Sequence, residues 1–131
     1  MRKLTLILSL MFTVTLSSPS YAEWTKVGEN GIENTVHVDF ERIRKLDGYV
    51  YFWMLIDYLK PFNGKNGTML SGKVYNQGDC KLFRYRNLSL SFHKEPMGRD
   101  VGVANNPKNP EWQYPPPNSI IETTLKTVCA R

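Results

Sequence analysis

Tyr49 to Leu59 reads YVYFWMLIDYL, the most apolar stretch after residue 22, and its conformation decides the fold. It does not alternate in polarity. Tyr51, Trp53 and Leu55 share one parity, and Val50, Phe52, Met54 and Ile56 share the other. Eleven residues could make a helix, but the β-branched and aromatic content and the flanking Gly48 and Pro61 favour a strand. A strand apolar on both faces needs cover on both sides. Asp57, near its end, is expected to emerge into solvent.

Weaker strand signals lie on either side. Glu23–Val27 reads as an opening edge strand. A Gly28–Gly31 turn joins it to Ile32–Val38 as a hairpin. Asp39–Lys45 fits one helical turn, with Asp39 as its N-cap. After the central strand, Pro61–Gly67 consists almost wholly of turn residues. Thr68–Tyr75 forms a fourth strand and Asn76–Asp79 a tight connection. Cys80–His93 is a long fifth strand, in which Leu88, Leu90 and Phe92 alternate with Ser89, Ser91 and His93. Arg84 and Arg86 share the parity of Leu88, so a bulge or facial switch near Arg86 is needed to keep them off the core. Met97–Val103 offers a short last strand. Ala104–Pro117 is an Asn- and Pro-rich loop, with Trp112 and Tyr114 as plugs onto the core.

One helix is clear, Ser119–Ala130. Ser119 and Glu122 form the S-x-x-E capping box. Ile121, Leu125, Val128 and Cys129 fall on one face, and Glu122 and Lys126 make an outward i,i+4 pair. The resulting fold class is α+β: an antiparallel sheet of about five to six strands, with a C-terminal helix packed on one face and one disulfide.

The disulfide follows from cysteine count and compartment. Residues 1–22 have a basic start at Arg2 and Lys3, an uncharged run from Leu4 to Leu16, and small residues at Ser20 and Ala22. That is the pattern of a cleaved export signal, and the run is shorter than the roughly 20 residues of a spanning helix. The expectation is a signal peptide at 1–22 and a single domain at 23–131, exported to the periplasm or the exterior, with no membrane span after cleavage. No cysteine follows the apolar run, so the signal is not of the lipoprotein type. An exported chain with two cysteines is expected to pair them, here Cys80 with Cys129. The alternatives are a metal pair or a nucleophilic thiol; only His37 and His93 could assist either.

Charge excludes little. The chain carries 17 Lys and Arg against 12 Asp and Glu. The excess is mild and the acidic residues are interspersed, so no nucleic-acid interface is called for. Hydrolase, zinc-protease and phosphate-loop motifs are missing from the sequence, and no metal site or cofactor is called for. Both histidines read as exposed polar strand residues rather than catalytic groups. The best basic grouping is Lys81, Arg84 and Arg86, with Tyr85 and Phe83 interleaved and Lys94 and Arg99 further on. It reads either as a docking patch for an acidic protein or glycan, or as a solvated sheet face.

Several short pieces, in order, carry a resemblance. They are Trp24–Val27 (WTKV), Val50–Trp53 (VYFW) with Asp57-Tyr58, Gly78-Asp-Cys80 with Arg84-Tyr-Arg86, Pro96-Met-Gly98, Trp112–Pro117 (WQYPPP) before Ser119, and the Thr-Val-Cys129 ending. Together they resemble the surface-adhesin protein E family of bacterial secreted or envelope proteins. The resemblance implies a small antiparallel sheet whose C-terminal helix is tied by a disulfide, and binding of host matrix or serum proteins. Unlike the named adhesins, this chain has no lipid-attachment cysteine, and Lys73 stands nearly alone where they have a dense basic cluster. The functional expectation is an exported, non-enzymatic binding protein with a host or envelope protein, or a glycan, as partner. The alternative is a structural or self-associating periplasmic protein, with homodimerisation through the doubly apolar strand. A small hydrolase or redox protein is the third reading.

Overall fold

The computed structural model describes residues 22–30 and 34–131. The expected signal segment lies outside the described residues, apart from Ala22. The strands are β1 (Thr25–Asn30), β2 (Asn34–Val38), β3 (Arg44–Leu46), β4 (Tyr49–Gly64), β5 (Gly67–Asp79), β6 (Arg84–His93) and β7 (Val103–Ala104), followed by helix α1 (Ile120–Cys129). All pairings are antiparallel, in the order β1-β2-β4-β5-β6-β7. β3 pairs with the start of β4, on the edge that β2 occupies further along. Apart from β2 and β3, which follow one another along the same edge of β4, consecutive strands are hydrogen-bonded neighbours, as in a meander.

Tyr49–Leu59 is the strand expected, and it is the central one. Its register places Val50, Phe52 and Met54 on one face, beside Val36 and Val38 of β2. These five side chains and Leu125 and Val128 of α1 form the buried core. Gly78 of β5 lies under the helix: a Cβ there would come within 2.8 Å of both Leu125 and Val50. The absence of a side chain lets α1 settle on the sheet. Ser119 caps the helix, its Oγ accepting from the Glu122 N–H at 3.2 Å, and Lys126 reaches Glu122 at 3.4 Å. At the other end Cys129 is bonded to Cys80, with a Cα–Cα distance of 5.7 Å and a sequence separation of 49. The strap fixes the end of the helix to the β5–β6 turn.

The differences from the sequence reading have local causes. The helical turn after Asp39 is shorter than expected, a 3-10 turn at Phe40–Arg42, and Arg44–Leu46 then forms β3. Asp47 and Gly48 (φ 52° and 81°) close that hairpin, since a turn needing positive φ at both central positions suits Asp-Gly. β1 runs through Gly28–Asn30 instead of turning there. β4 continues through Pro61 to Gly64, where a loop was expected. Its ladder with β5 is interrupted between Asp57 and Phe62, so the proline removes no required hydrogen bond. Asn76–Asp79 is strand, not turn, because it lies between β4 and β6 with partners on both sides. Cys80–Phe83 is the turn instead. The irregularity foreseen near Arg86 is present: Tyr75 pairs with Ser89 and Asn76 with Asn87, leaving Leu88 as the extra residue. Met97–Val103 contributes a 3-10 turn at Pro96–Gly98 and the two-residue β7.

Candidate functional site

The sheet face opposite α1 carries a different chemistry, laid out in rows by the register. Tyr49, Asp79 and Arg84 form the first row; Arg44, Tyr51, Gln77 and Arg86 the second; Trp53, Tyr75 and Ser89 the third. His37, Leu55, Lys73 and Ser91 follow, then Thr35, Asp57, Ser71 and His93. Side chains directly opposite one another on a sheet face interact, and these rows are joined by specific contacts. In the first row, Arg84 Nε donates to Asp79 Oδ2 at 3.0 Å. In the second, Arg86 Nε donates to Gln77 Oε1 at 2.7 Å and Gln77 Nε2 donates to the Tyr51 hydroxyl at 3.1 Å. In the third, Trp53 stacks on Tyr75 with 4.7 Å between ring centroids.

Trp112 joins the arginines from outside the sheet. The preceding long loop returns to β6 through a two-way backbone bridge between Gln113 and Tyr85, and this sets Trp112 against the first two rows. The Arg84 and Arg86 guanidinium carbons lie 4.4 and 4.5 Å from its ring centroid. Tyr49 stacks against it at 5.8 Å. Arg44 approaches the Tyr51 ring at 5.7 Å. The hydrogen bonds that fix Arg84 and Arg86 run through Nε, so they leave the Nη edges uncommitted. A guanidinium held against an aromatic ring and tied by its Nε has its remaining donors restricted in direction, which suits carboxylate or sulfate recognition.

Asp79 is the anchor of this end. It is buried, and its Oδ1 accepts the N–H groups of Lys81 and Leu82 at 3.1 Å each. Burial by itself pushes its pKa up, but the Leu82 N–H, the Arg84 hydrogen bond and charge, and the Lys81 N–H outweigh it, and the net shift is downward. A carboxyl depressed on folding contributes stability that is present above its unfolded pKa and is lost as pH falls through its folded pKa. Asp79→Asn keeps the acceptor for the two backbone N–H groups and removes the charge. Melting temperatures measured from pH 6 downward are therefore expected to show a flatter acid limb below about pH 4 in the variant than in the parent.

Of the three residues expected in the patch, Arg84 and Arg86 are brought together on Trp112, while Lys81 is exposed on the adjoining turn. Phe83 packs against the core, and Tyr85 opposes Gly78 on the helix side of the sheet, so neither interleaves with the arginines. The sequence reading missed Trp112, Tyr49, Tyr51, Trp53, Tyr75 and Gln77 as site residues. For Tyr49, Tyr51 and Trp53 a signal was present in their shared parity.

The histidines are buried, not exposed as expected: His37 retains 9% and His93 2% of its surface. Among the described residues His37 Nδ1 has no hydrogen-bond partner, and burial pushes its pKa down. His93 contacts Ser91 Oγ through Nε2 at 2.8 Å, and the Asp100 carbonyl through Nδ1 at 2.9 Å. Ser91, His93 and Asp100 have the chemistry of a hydrolytic triad but are arranged as a loop clamp. Both Asp100 carboxylate oxygens accept backbone N–H groups, from Lys94 and Glu95. Asp57 is likewise half-buried, with Oδ1 accepting the Met97 N–H at 2.8 Å. Together with Ser71, which donates to the Glu95 carbonyl and accepts from the Gly98 N–H, it pins the Pro96–Gly98 turn over fully buried Leu55. Among the described residues there is no cluster of three or more metal-ligating side chains, and no helix long and apolar enough to cross a membrane.

The domain is a sheet with a helix strapped across one face and arginines stacked on aromatic rings across the other. The family model for surface-adhesin protein E matches residues 24–130, and the chain belongs to that family. Solved structures of Haemophilus influenzae protein E share the fold. One superposes with a TM-score of 0.64 at 16% identity, covering 85% of this chain and 86% of the other. A crystal structure of protein E from non-typeable Haemophilus influenzae gives 0.62 at 17%, covering 85% and 78%. No curated protein sequence matches the chain.

Proposed function

We propose that this is an exported, non-enzymatic binding protein whose Trp112–Arg84–Arg86 face docks an acidic surface on a host or envelope protein. The reading takes residues 1–22 as a cleaved signal and residues 23–131 as the working domain, in the periplasm or outside the cell. Membership of the adhesin family supports the class of activity. The observation that carries the location is the pair of guanidiniums held on one tryptophan ring. Tryptophan, tyrosine and arginine are the residues that dominate interface energetics, and here they are collected on one side of the sheet. Lys81 contributes to the long-range field rather than to the fixed contact. Self-association through the second face of β4 loses its strongest motive, because the Pro96–Gly98 turn covers Leu55 within the chain.

Binding to immobilised extracellular-matrix and envelope protein preparations, followed by surface plasmon resonance, tests the proposal. Saturable binding is expected, weakened at least about tenfold by Trp112→Ala and by Arg84→Ser with Arg86→Ser, and only slightly by Lys81→Ser. Loss of affinity with rising salt is part of the expectation. Binding unchanged in the tryptophan and arginine variants overturns the assignment of the face.

A further inference from the structure

A cavity lies beyond the Pro96–Gly98 turn, away from Trp112. It is open, has a volume of about 940 Å³, and is lined by Trp24, Arg42, Lys73, Met97, Arg99 and Asp100 among others. Lys73 stands four residues before Gln77 on β5, which separates the cavity from the Arg86 row by about 13 Å along the strand. The two sites are therefore distinct places on the same side of the sheet.

Three features give the cavity a chemical preference. The first is charge. Arg42, Lys73 and Arg99 bring three cationic side chains, against the single carboxylate of Asp100. That carboxylate is committed to the Lys94 and Glu95 N–H groups and lies 3.4 Å from His93 Nδ1. Arg42 Nε lies 3.3 Å from Asp39 Oδ2. Lys73 has no ion pair among the described residues.

The second feature is preorganisation. Gly98 (φ 60°) lies directly against the Lys73 stem: a Cβ there would come within 2.4 Å of Lys73 Cε and 3.2 Å of its Nζ. The lysine is thus laid along the turn instead of sweeping through solvent, and its ammonium is delivered to a defined place. The third feature is the apolar wall supplied by Trp24 and Met97. A planar ring and a thioether suit the body of an organic molecule, not a bare inorganic ion.

We propose that this cavity binds a small organic oxyanion, with Lys73, Arg42 and Arg99 holding the anionic head and Trp24 and Met97 packing against its apolar body. The electrostatics of Lys73 agree. Partial burial depresses its pKa, Asp100 opposes that effect, and the positive charge of Arg42 adds to it. A ligand anion supplies a further counter-charge to the ammonium, and the partial burial of Lys73 strengthens the attraction.

Phenyl phosphate is the probe, added to the exported protein (residues 23–131 on the reading above) in its disulfide-bonded form, with intrinsic tryptophan fluorescence and calorimetry as readouts. Saturable quenching is expected, absent in Trp24→Phe, with inorganic phosphate weaker and benzyl alcohol without effect. Lys73→Gln and Arg99→Gln are each expected to raise the dissociation constant about tenfold or more. Arg99 is exposed, so its variant tests the site without disturbing the fold. Arg84→Ser with Arg86→Ser is expected to leave phenyl phosphate binding unchanged, which separates this site from the docking face. No saturable heat or quenching up to roughly 10 mM, equal binding of inorganic phosphate, or affinity indifferent to both Lys73→Gln and Arg99→Gln overturns the proposal.

Discussion

Replacing Cys80 and Cys129 together with serine is expected to remove about 4 kcal/mol of stability. The bond closes a loop with a sequence separation of 49 residues, and the chain-entropy cost released to the unfolded state at that length sets the figure. For a domain of about this size the loss corresponds to a fall in melting temperature of roughly 15 °C or more. It is also a large share of the total stability of about 5–15 kcal/mol that small domains possess. The effect should be local in its first stage. The strap joins the last residue of α1 to the turn after β5, so amide exchange is expected to rise first at the C-terminal end of the helix. Thermal unfolding of the oxidised parent, the reduced parent and the double variant checks this. The reduced parent and the variant should coincide.

The second large effect is expected at Leu125. It is fully buried and its Cδ1 lies where a side chain on Gly78 would have to go. Leu125→Ala removes the contact that seats the helix on β4 and β5, and a truncation of this kind costs about 2–5 kcal/mol. The disulfide still holds the helix end, so the variant is expected to keep its far-ultraviolet signature while its denaturation midpoint falls. Surface truncations on the same helix, such as Lys126→Ala, should change stability by no more than about 0.5 kcal/mol. Chemical denaturation of the three proteins side by side provides the comparison.

Much of the fold was legible because it depends on local signals. The apolar run at Tyr49–Leu59 identified the central strand, and Ser119 with Glu122 marked the start of the helix. The even cysteine count, read with the expected export signal, paired the cysteines, and the phase conflict at Arg84 and Arg86 anticipated the irregularity realised at Leu88. The failures share one cause. Asn76–Asp79 and Gly28–Asn30 have turn composition, yet they are strands because neighbouring strands supply their hydrogen-bond partners. Composition reports local preference and cannot register a partner many residues away.

The site was legible only in part, for the same reason. Arg84 and Arg86 were visible as an i, i+2 pair. Trp112 is 26 residues from Arg86 in the sequence and reaches it through the Gln113–Tyr85 bridge, which no spacing rule announces. His93 looked exposed because it ended a run of alternating serines; its burial depends on Asp100 and Gly102 closing over the ring. The doubly apolar character of β4 was read correctly as a demand for cover. The helix expected on one side is there; the sequence did not reveal that the turn on the other side would cover only Leu55, leaving the remaining aromatics to carry arginines.

The central claim is that recognition takes place on the aromatic–arginine face and not on the helix. Amide and arginine side-chain nuclear magnetic resonance, recorded while a polyglutamate peptide is titrated in at low salt, locates the contact most directly. The account predicts shifts concentrated at Tyr49–Trp53, Tyr75–Gln77, Arg84–Arg86 and the Trp112 indole, including the Nε–H signals of both arginines. Shifts centred on the exposed side of α1, or spread evenly over every lysine and arginine, would contradict it.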